Sequence, residues 1–209
     1  MPRATKTPPG RANQRHRTRK DLLAAAARLL KSGRTPDMDA VAAEAMVSRA
    51  TAYRYFPSIE SLLVEAPLDG AIPDPREIFA GDDSTDPARR IDKAEAALHD
   101  MVYRNEAQLR LMVAASLEHK AKGLTDGVPV RQNRRAAIIA AALAPARGRF
   151  TKSTYEKLCA ALGLIFGPES MIVFSDVLGL DARAARKVKS WAAQALVRAA
   201  REESHRARH

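Results

Sequence analysis

From Thr35 to Ser58 the chain reads TPDMDAVAAEAMVSRATAYRYFPS. Asp37 is a residue type that accepts from the free N–H groups at a helix start. Behind it Met38, Val41, Ala42 and Ala45 recur at helical spacing, which predicts one short helix. Ser48 is a second capping residue, Arg49 to Tyr55 a second short helix, and Pro57 its stop. Two short helices on a tight turn are the plan of a helix-turn-helix. Upstream, Leu22, Leu23, Ala26, Leu29 and Leu30 mark a longer helix that Gly33 ends. Downstream, Ser58 caps a helix carrying Ile59, Leu62 and Leu63, which Pro67 is expected to end.

The rest of the chain extends the helical pattern. Residues 67–87 collect Pro67, Gly70, Pro73, Pro75, Gly81 and Pro87 with Asp82, Asp83 and Asp86, and read as a linker with one helical turn near Arg76. Helical spacing returns at Ile91–Val102, Leu109–Leu117, about Arg131–Ala144, Tyr155–Phe166, after Pro168, and from Asp181 onward. Ala, Leu and Arg dominate, whereas aromatics are 5% of the chain, so strand formers are scarce. The fold class predicted is all-α. Its organisation is a flexible basic arm at 1–17, a helix-turn-helix domain at 18–66, a linker at 67–87 and a helical domain at 88–203.

Charge points to one end. The formal net charge is +11, and within residues 1–20 Arg3, Lys6, Arg11, Arg15, Arg17, Arg19 and Lys20 meet no acid. Such an asymmetry suits a polyanion. An arm of this kind either enters a minor groove or stays solvated with generic affinity for polyanions. One cysteine, Cys159, excludes an internal disulfide framework and fits a reducing compartment. With no apolar stretch of spanning length and no apolar segment behind the basic N-terminus, a soluble cytoplasmic protein with no membrane partner is expected.

The stretch resembles the TetR family of transcriptional regulators, whose pattern is an apolar-Ala pair, then Ala-Gly-Val-Ser, then Thr-x-Tyr-x-x-Phe. Val41-Ala42, Ala45, Val47-Ser48, Thr51, Tyr53 and Phe56 match it in order and spacing. The likeness runs from about Thr18 to Ala66. Two positions depart from it. Met46 stands where the turn usually has Gly, and a positive φ there costs an L-residue about 1–2 kcal/mol. Ile59 stands where a lysine is usual.

The resemblance implies a homodimeric, ligand-responsive repressor on palindromic double-stranded DNA. On the residues themselves, Ser48, Arg49, Ala50, Thr51, Tyr53, Arg54 and Tyr55 are the candidate DNA contacts, with Arg17 and Arg19 beside them. Thr meets a thymine methyl or a base acceptor, Arg grips guanine in bidentate fashion, and Tyr hydroxyls reach phosphates. The resemblance places a small-molecule effector in the middle helices, where Met101, Tyr103, Met112, Phe166, Met171 and Phe174 are candidate lining residues or ordinary core. It places subunit pairing on the C-terminal helices. Ala161 and Ala195 are small enough for close approach, and Ile165, Phe166, Trp191 and Leu196 are candidate anchors.

Enzymatic chemistry has little to stand on. Cys159 lies among apolar neighbours that raise a thiol pKa. No spaced metal-ligand pair or glycine-rich phosphate loop occurs, so neither metal nor cofactor is expected. His99 and His119 read as satisfied or exposed histidines. The carboxylates stand near Arg or Lys, as solvated helix faces do. A nonspecific or architectural DNA-binding protein and a helical interaction adaptor remain the alternatives.

Overall fold

A computed structural model describes residues 9–33, 35–123 and 133–208. It is all-helical, with no strand among the described residues. Two compact units divide the chain. The first comprises the described residues within 1–70 and 114–131, the second those within 71–113 and 132–209. The described part of 114–131 thus groups with the N-terminal helices, although the sequence pattern places it in the C-terminal domain.

In the first unit, α1 (Pro9–Lys31) presents Leu22, Leu23, Ala25, Ala26 and Leu29 as a buried stripe. Helix α2 (Met38–Glu44) adds Met38, Val41 and Ala42, and α3 (Arg49–Tyr55) adds Ala52, Tyr55 and then Phe56. Helix α4 (Ile59–Ala71) completes the core with Leu62 and Ala66. Ala42 and Ala52 are both buried, and their small side chains let α2 and α3 pack closely. Ile59 packs against this core, which explains an apolar residue at that position.

Two expectations are corrected here. Residues 9–17 are the start of α1 rather than a flexible arm; Arg3 and Lys6 lie outside the described residues, as does the Arg11 side chain. Pro67 does not end α4, which runs on to Ala71. The proline ring forfeits a backbone hydrogen bond in the helix interior, but burial of Leu62, Glu65, Ala66 and Leu68 on one side of the helix holds it together.

The second unit begins with α5 (Pro75–Ile78) and α6 (Pro87–Arg104), and takes in α7 (Glu106–Ala121) as far as Val113. Then come α8 (Arg135–Leu143), a 3₁₀ turn (Ala144–Arg149), α9 (Lys152–Ile165), α10 (Pro168–Ile172), a wide π turn (Val173–Val177) and α11 (Ala182–Arg206). Helix α11 packs along α6 and α9, and α8 fills the space between α6 and α9. Buried Arg90 of α6 donates to the carbonyls of Ala141 and Ala142 near the end of α8, satisfying acceptors that a helix terminus leaves without partners.

Candidate nucleic-acid interface

The site is built from a turn and two caps. Asp37 accepts from the Ala40 N–H at 2.8 Å and starts α2. At its far end the Val47 N–H donates to the Ala42 carbonyl at 2.9 Å, and the Met46 N–H to Ala43 at 3.0 Å. This pair of bonds closes the helix through a residue in the left-handed region. That residue is Met46, with φ at 55°. Its side chain is 91% exposed, so nothing but the backbone requires it there.

One residue beyond Val47, the Ser48 hydroxyl oxygen accepts from the Thr51 N–H at 3.1 Å and its O–H donates to Thr51 Oγ1 at 2.9 Å. These bonds start α3 and fix its rotation. Ala52, Tyr55 and Phe56 turn inward at i, i+3 and i+4. Arg49, Ala50, Tyr53 and Arg54 face solvent, and Thr51 is half-buried. Arg49 donates to Asp39 at 3.0 Å and lies 5.5 Å from the Tyr53 ring centre. Hydrogen bonding to Tyr53, followed by the Asp39 charge, raises its already high pKa. Arg54 lies 5.5 Å from the Tyr55 ring centre, and neither it nor exposed Arg17 has a carboxylate partner among the described residues.

Two of the sequence candidates are placed in the core instead. Tyr55 is 7% exposed. It follows Ala52 by three residues, so it shares the inward stripe. Arg19 is 4% exposed and shares the face of Leu22 and Leu23. Its guanidinium donates to the Tyr55 carbonyl at 2.8 Å, pairs with Glu65 and lies 4.1 Å from the Phe56 ring centre. Arg19 therefore clamps α1, the end of α3 and α4 together, the cation meeting the negative end of α3.

In the second unit Met101, Phe166 and Met171 are buried, while Tyr103, Met112 and Phe174 are half-buried. Phe174 lines a mainly apolar groove of about 350 Å³ with Leu164, Ile165, Val173, Lys189 and Ala192. The other five candidates do not line it. Phe166 is wholly inside its own unit, which removes it from the candidate surface anchors. Trp191 is 68% exposed, and Ala161, Ile165, Ala195 and Leu196 are half-buried.

A cluster that sequence reading passed over as solvated carboxylates joins α6 to α11. Glu95 is buried and lies 2.8 Å from the ammonium of buried Lys189 and 2.9 Å from Arg186. Asp92 accepts from Ser190 and Arg186. His99 stands 3.8 Å from Glu95, its ring 4.4 Å from that of Tyr103. Burial pushes the Glu95 carboxyl up and the Lys189 ammonium down. Burial, then the charges of Lys189 and Arg186, lowers His99 to about 4. The signal was the spacing of Asp92, Glu95, His99 and Tyr103 along one face of α6. The His119 side chain lies outside what the structure describes. Burial raises the Cys159 thiol, as expected for a thiol among apolar neighbours.

A short helix held outward on a tight turn, with hydroxyl, phenol and guanidinium groups on its free face, defines a helix-turn-helix DNA-binding protein. Residues 22–66 match the family described as Bacterial regulatory proteins, tetR family. The match gives residues 22–66 a tetR-type DNA-binding domain and supports a DNA-binding transcriptional regulator. No curated protein matches it. No single helix among the described residues is long and apolar enough to cross a membrane.

Proposed function

We propose that this regulator is a ligand-responsive repressor that reads a palindromic operator as a homodimer. The observation that carries the reading is the free face of α3, where Ser48, Arg49, Ala50, Thr51, Tyr53 and Arg54 stand clear of the core or at its edge. In this reading Thr51 and Ala50 meet base methyls, while Arg54 and Arg49 reach base edges or phosphates. Arg49 exchanges Asp39 for the duplex as it does so. Tyr53 and Arg17 fix the register on the backbone.

Support for pairing comes from the apolar surface left on the C-terminal helices. Leu164, Val173, Val188 and Trp191 are exposed there, and Trp is the residue type most often found to anchor an interface. Ala161 and Ile165 share α9 with Leu164, and Ala195 and Leu196 share α11 with Val188 and Trp191. Support for an effector comes from α6. The Tyr103 hydroxyl and His99 Nδ1 are buried without a hydrogen-bond partner among the described residues. Buried polar atoms are rarely left so. Met101, Met112, Phe166, Met171 and Phe174 are the apolar residues proposed around the bound molecule. The effector represses or releases DNA only through a difference in its affinity for the two states of the protein.

Selection of bound duplexes from a random pool tests the reading. Two inverted half-sites whose centres lie about one helical turn, or a multiple of it, apart are expected. Enrichment of a lone asymmetric site, or none, would overturn it. Tyr53→Ala is expected to weaken the selected duplex by about tenfold, the loss of one good contact. Its helical circular dichroism should be unchanged, because the side chain is outside the core. Equal affinity in a gel-shift titration would remove Tyr53 from the interface.

A further inference from the structure

The second unit carries a concentration of arginine that the helix-turn-helix does not use. A groove of about 610 Å³ is lined by Gly148 and Arg149 of the 3₁₀ turn, by Arg198, Arg201, Glu202 and His205 of α11, and by Arg208. Leaving His205 aside, four guanidiniums face one carboxylate.

The ordinary reasons for a basic surface do not account for it. Cations often sit at helix C-termini, where they offset the partial negative charge, but that effect is confined to the last turn. In α11 the last turn holds His205 and Arg206, whereas Arg198 and Arg201 lie one to two turns earlier. Solvated basic faces usually carry acids at i+3 or i+4 that take up the charge. Arg198 has Glu202 at i+4 yet makes no ion pair with it, and Arg201 has no carboxylate partner among the described residues. Among the described residues Arg149 donates to the Thr85 hydroxyl, at 3.3 Å, and to no carboxylate. Arg208 is held at the rim by the Gly148 carbonyl, at 2.7 Å. Elsewhere in this unit arginines find carboxylates readily: Arg110 takes Asp176, Arg135 takes Glu169, and Arg186 takes Asp92 and Glu95.

From these observations we infer that the groove binds a small molecule carrying a chain of two or three phosphate groups. Guanidinium forks match phosphate oxygens in bidentate geometry. The excess of three positive charges matches a di- or triphosphate rather than a single carboxylate. The volume falls within the range of small-ligand sites. The site is independent of the effector reading and of the DNA-binding face.

Calorimetric titration of the full chain with inorganic tripolyphosphate, pyrophosphate and orthophosphate at constant ionic strength tests this. Affinity should fall in that order. Arg198→Gln with Arg201→Gln should weaken tripolyphosphate by about tenfold or more, the loss of two charge-assisted contacts. Glu202→Gln should strengthen it, because the one opposing charge goes. Arg54→Gln on α3 should leave tripolyphosphate binding in place while duplex affinity falls. Equal affinity for the three anions overturns the proposal, as does an Arg198→Gln/Arg201→Gln protein that binds tripolyphosphate unchanged. So does loss of tripolyphosphate binding on Arg54→Gln alone, which would assign the anion to the helix-turn-helix. A shift in sedimentation of the Arg198→Gln/Arg201→Gln protein without loss of tripolyphosphate binding would make the groove a contact between subunits and overturn it equally.

Discussion

Met46 closes α2 with a φ of 55° and a side chain almost wholly in solvent. The left-handed conformation costs an L-residue about 1–2 kcal/mol, and glycine gives part of that back through its larger entropy loss on folding. Met46→Gly should therefore stabilise the protein by about 1 kcal/mol, read as a higher urea midpoint; a lower midpoint would show that the methionine side chain contributes something the burial pattern does not reveal. His99 makes a second prediction, with a definite sign. Its pKa is lowered from 6.5 to about 4. Between those values the unfolded chain binds a proton that the folded chain refuses, so stability falls as the pH falls through that window, by up to about 1.4 kcal/mol per pH unit. His99→Phe keeps an aromatic beside Tyr103 and removes the titration. The variant should lose less stability than the parent between pH 6.5 and 4, measured by urea denaturation at each pH. The neighbouring carboxylates of Glu95 and Asp92 are common to both proteins, so their own titrations largely cancel in the difference.

Helix α4 shows what local sequence can and cannot say about an element. Pro67 lies in its interior, where the ring costs about 3 kcal/mol relative to a good helix former. Pro67 is exposed, so Pro67→Ala should raise stability by some of that amount, up to about 3 kcal/mol. An unchanged thermal midpoint would mean that the ring fits α4 without strain. The starts of helices were legible because capping is local chemistry: Asp37, Ser48, Ser58 and Asp181 each accept from a backbone N–H three residues on. The rotation of α3 was legible only in part. Ala52 and Phe56 pointed inward by their apolar character, whereas Tyr55, with its polar tip, gave no such sign. Arg19 and the Glu95–Lys189 pair were misread for the same physical reason. A buried charge is tolerated only when a partner from another helix meets it, and that partner stands far away in the sequence.

Across the second unit, Leu164, Val173, Val177, Leu178, Val188 and Trp191 are all exposed, on α9, the π turn, the loop after it and α11. Single exposed apolar residues need no explanation, but a set this large on neighbouring elements marks an interaction surface. The proposed twofold pairing covers it with the same surface of a second chain, so that each residue is counted twice. Trp191 is the largest of these side chains, and its 68% exposure means that replacing it removes little from the fold of one chain. Trp191→Glu puts a charge where the partner would have to desolvate it, a change that opposes association far more than folding. The variant should sediment as a monomer at concentrations where the parent is dimeric, with its circular dichroism unchanged. It should also bind the palindromic duplex much more weakly, because linking two reading heads makes the second docking intramolecular, an advantage commonly worth about 10²–10⁴-fold. Affinity for an isolated half-site should stay at the parent's monomeric value, since Ser48 to Arg54 are untouched. A Trp191→Glu protein that remains dimeric places the subunit contact elsewhere. One that is monomeric yet binds the full operator as before shows that the two heads do not act together, and the twofold reading of DNA then fails at the level of the whole molecule.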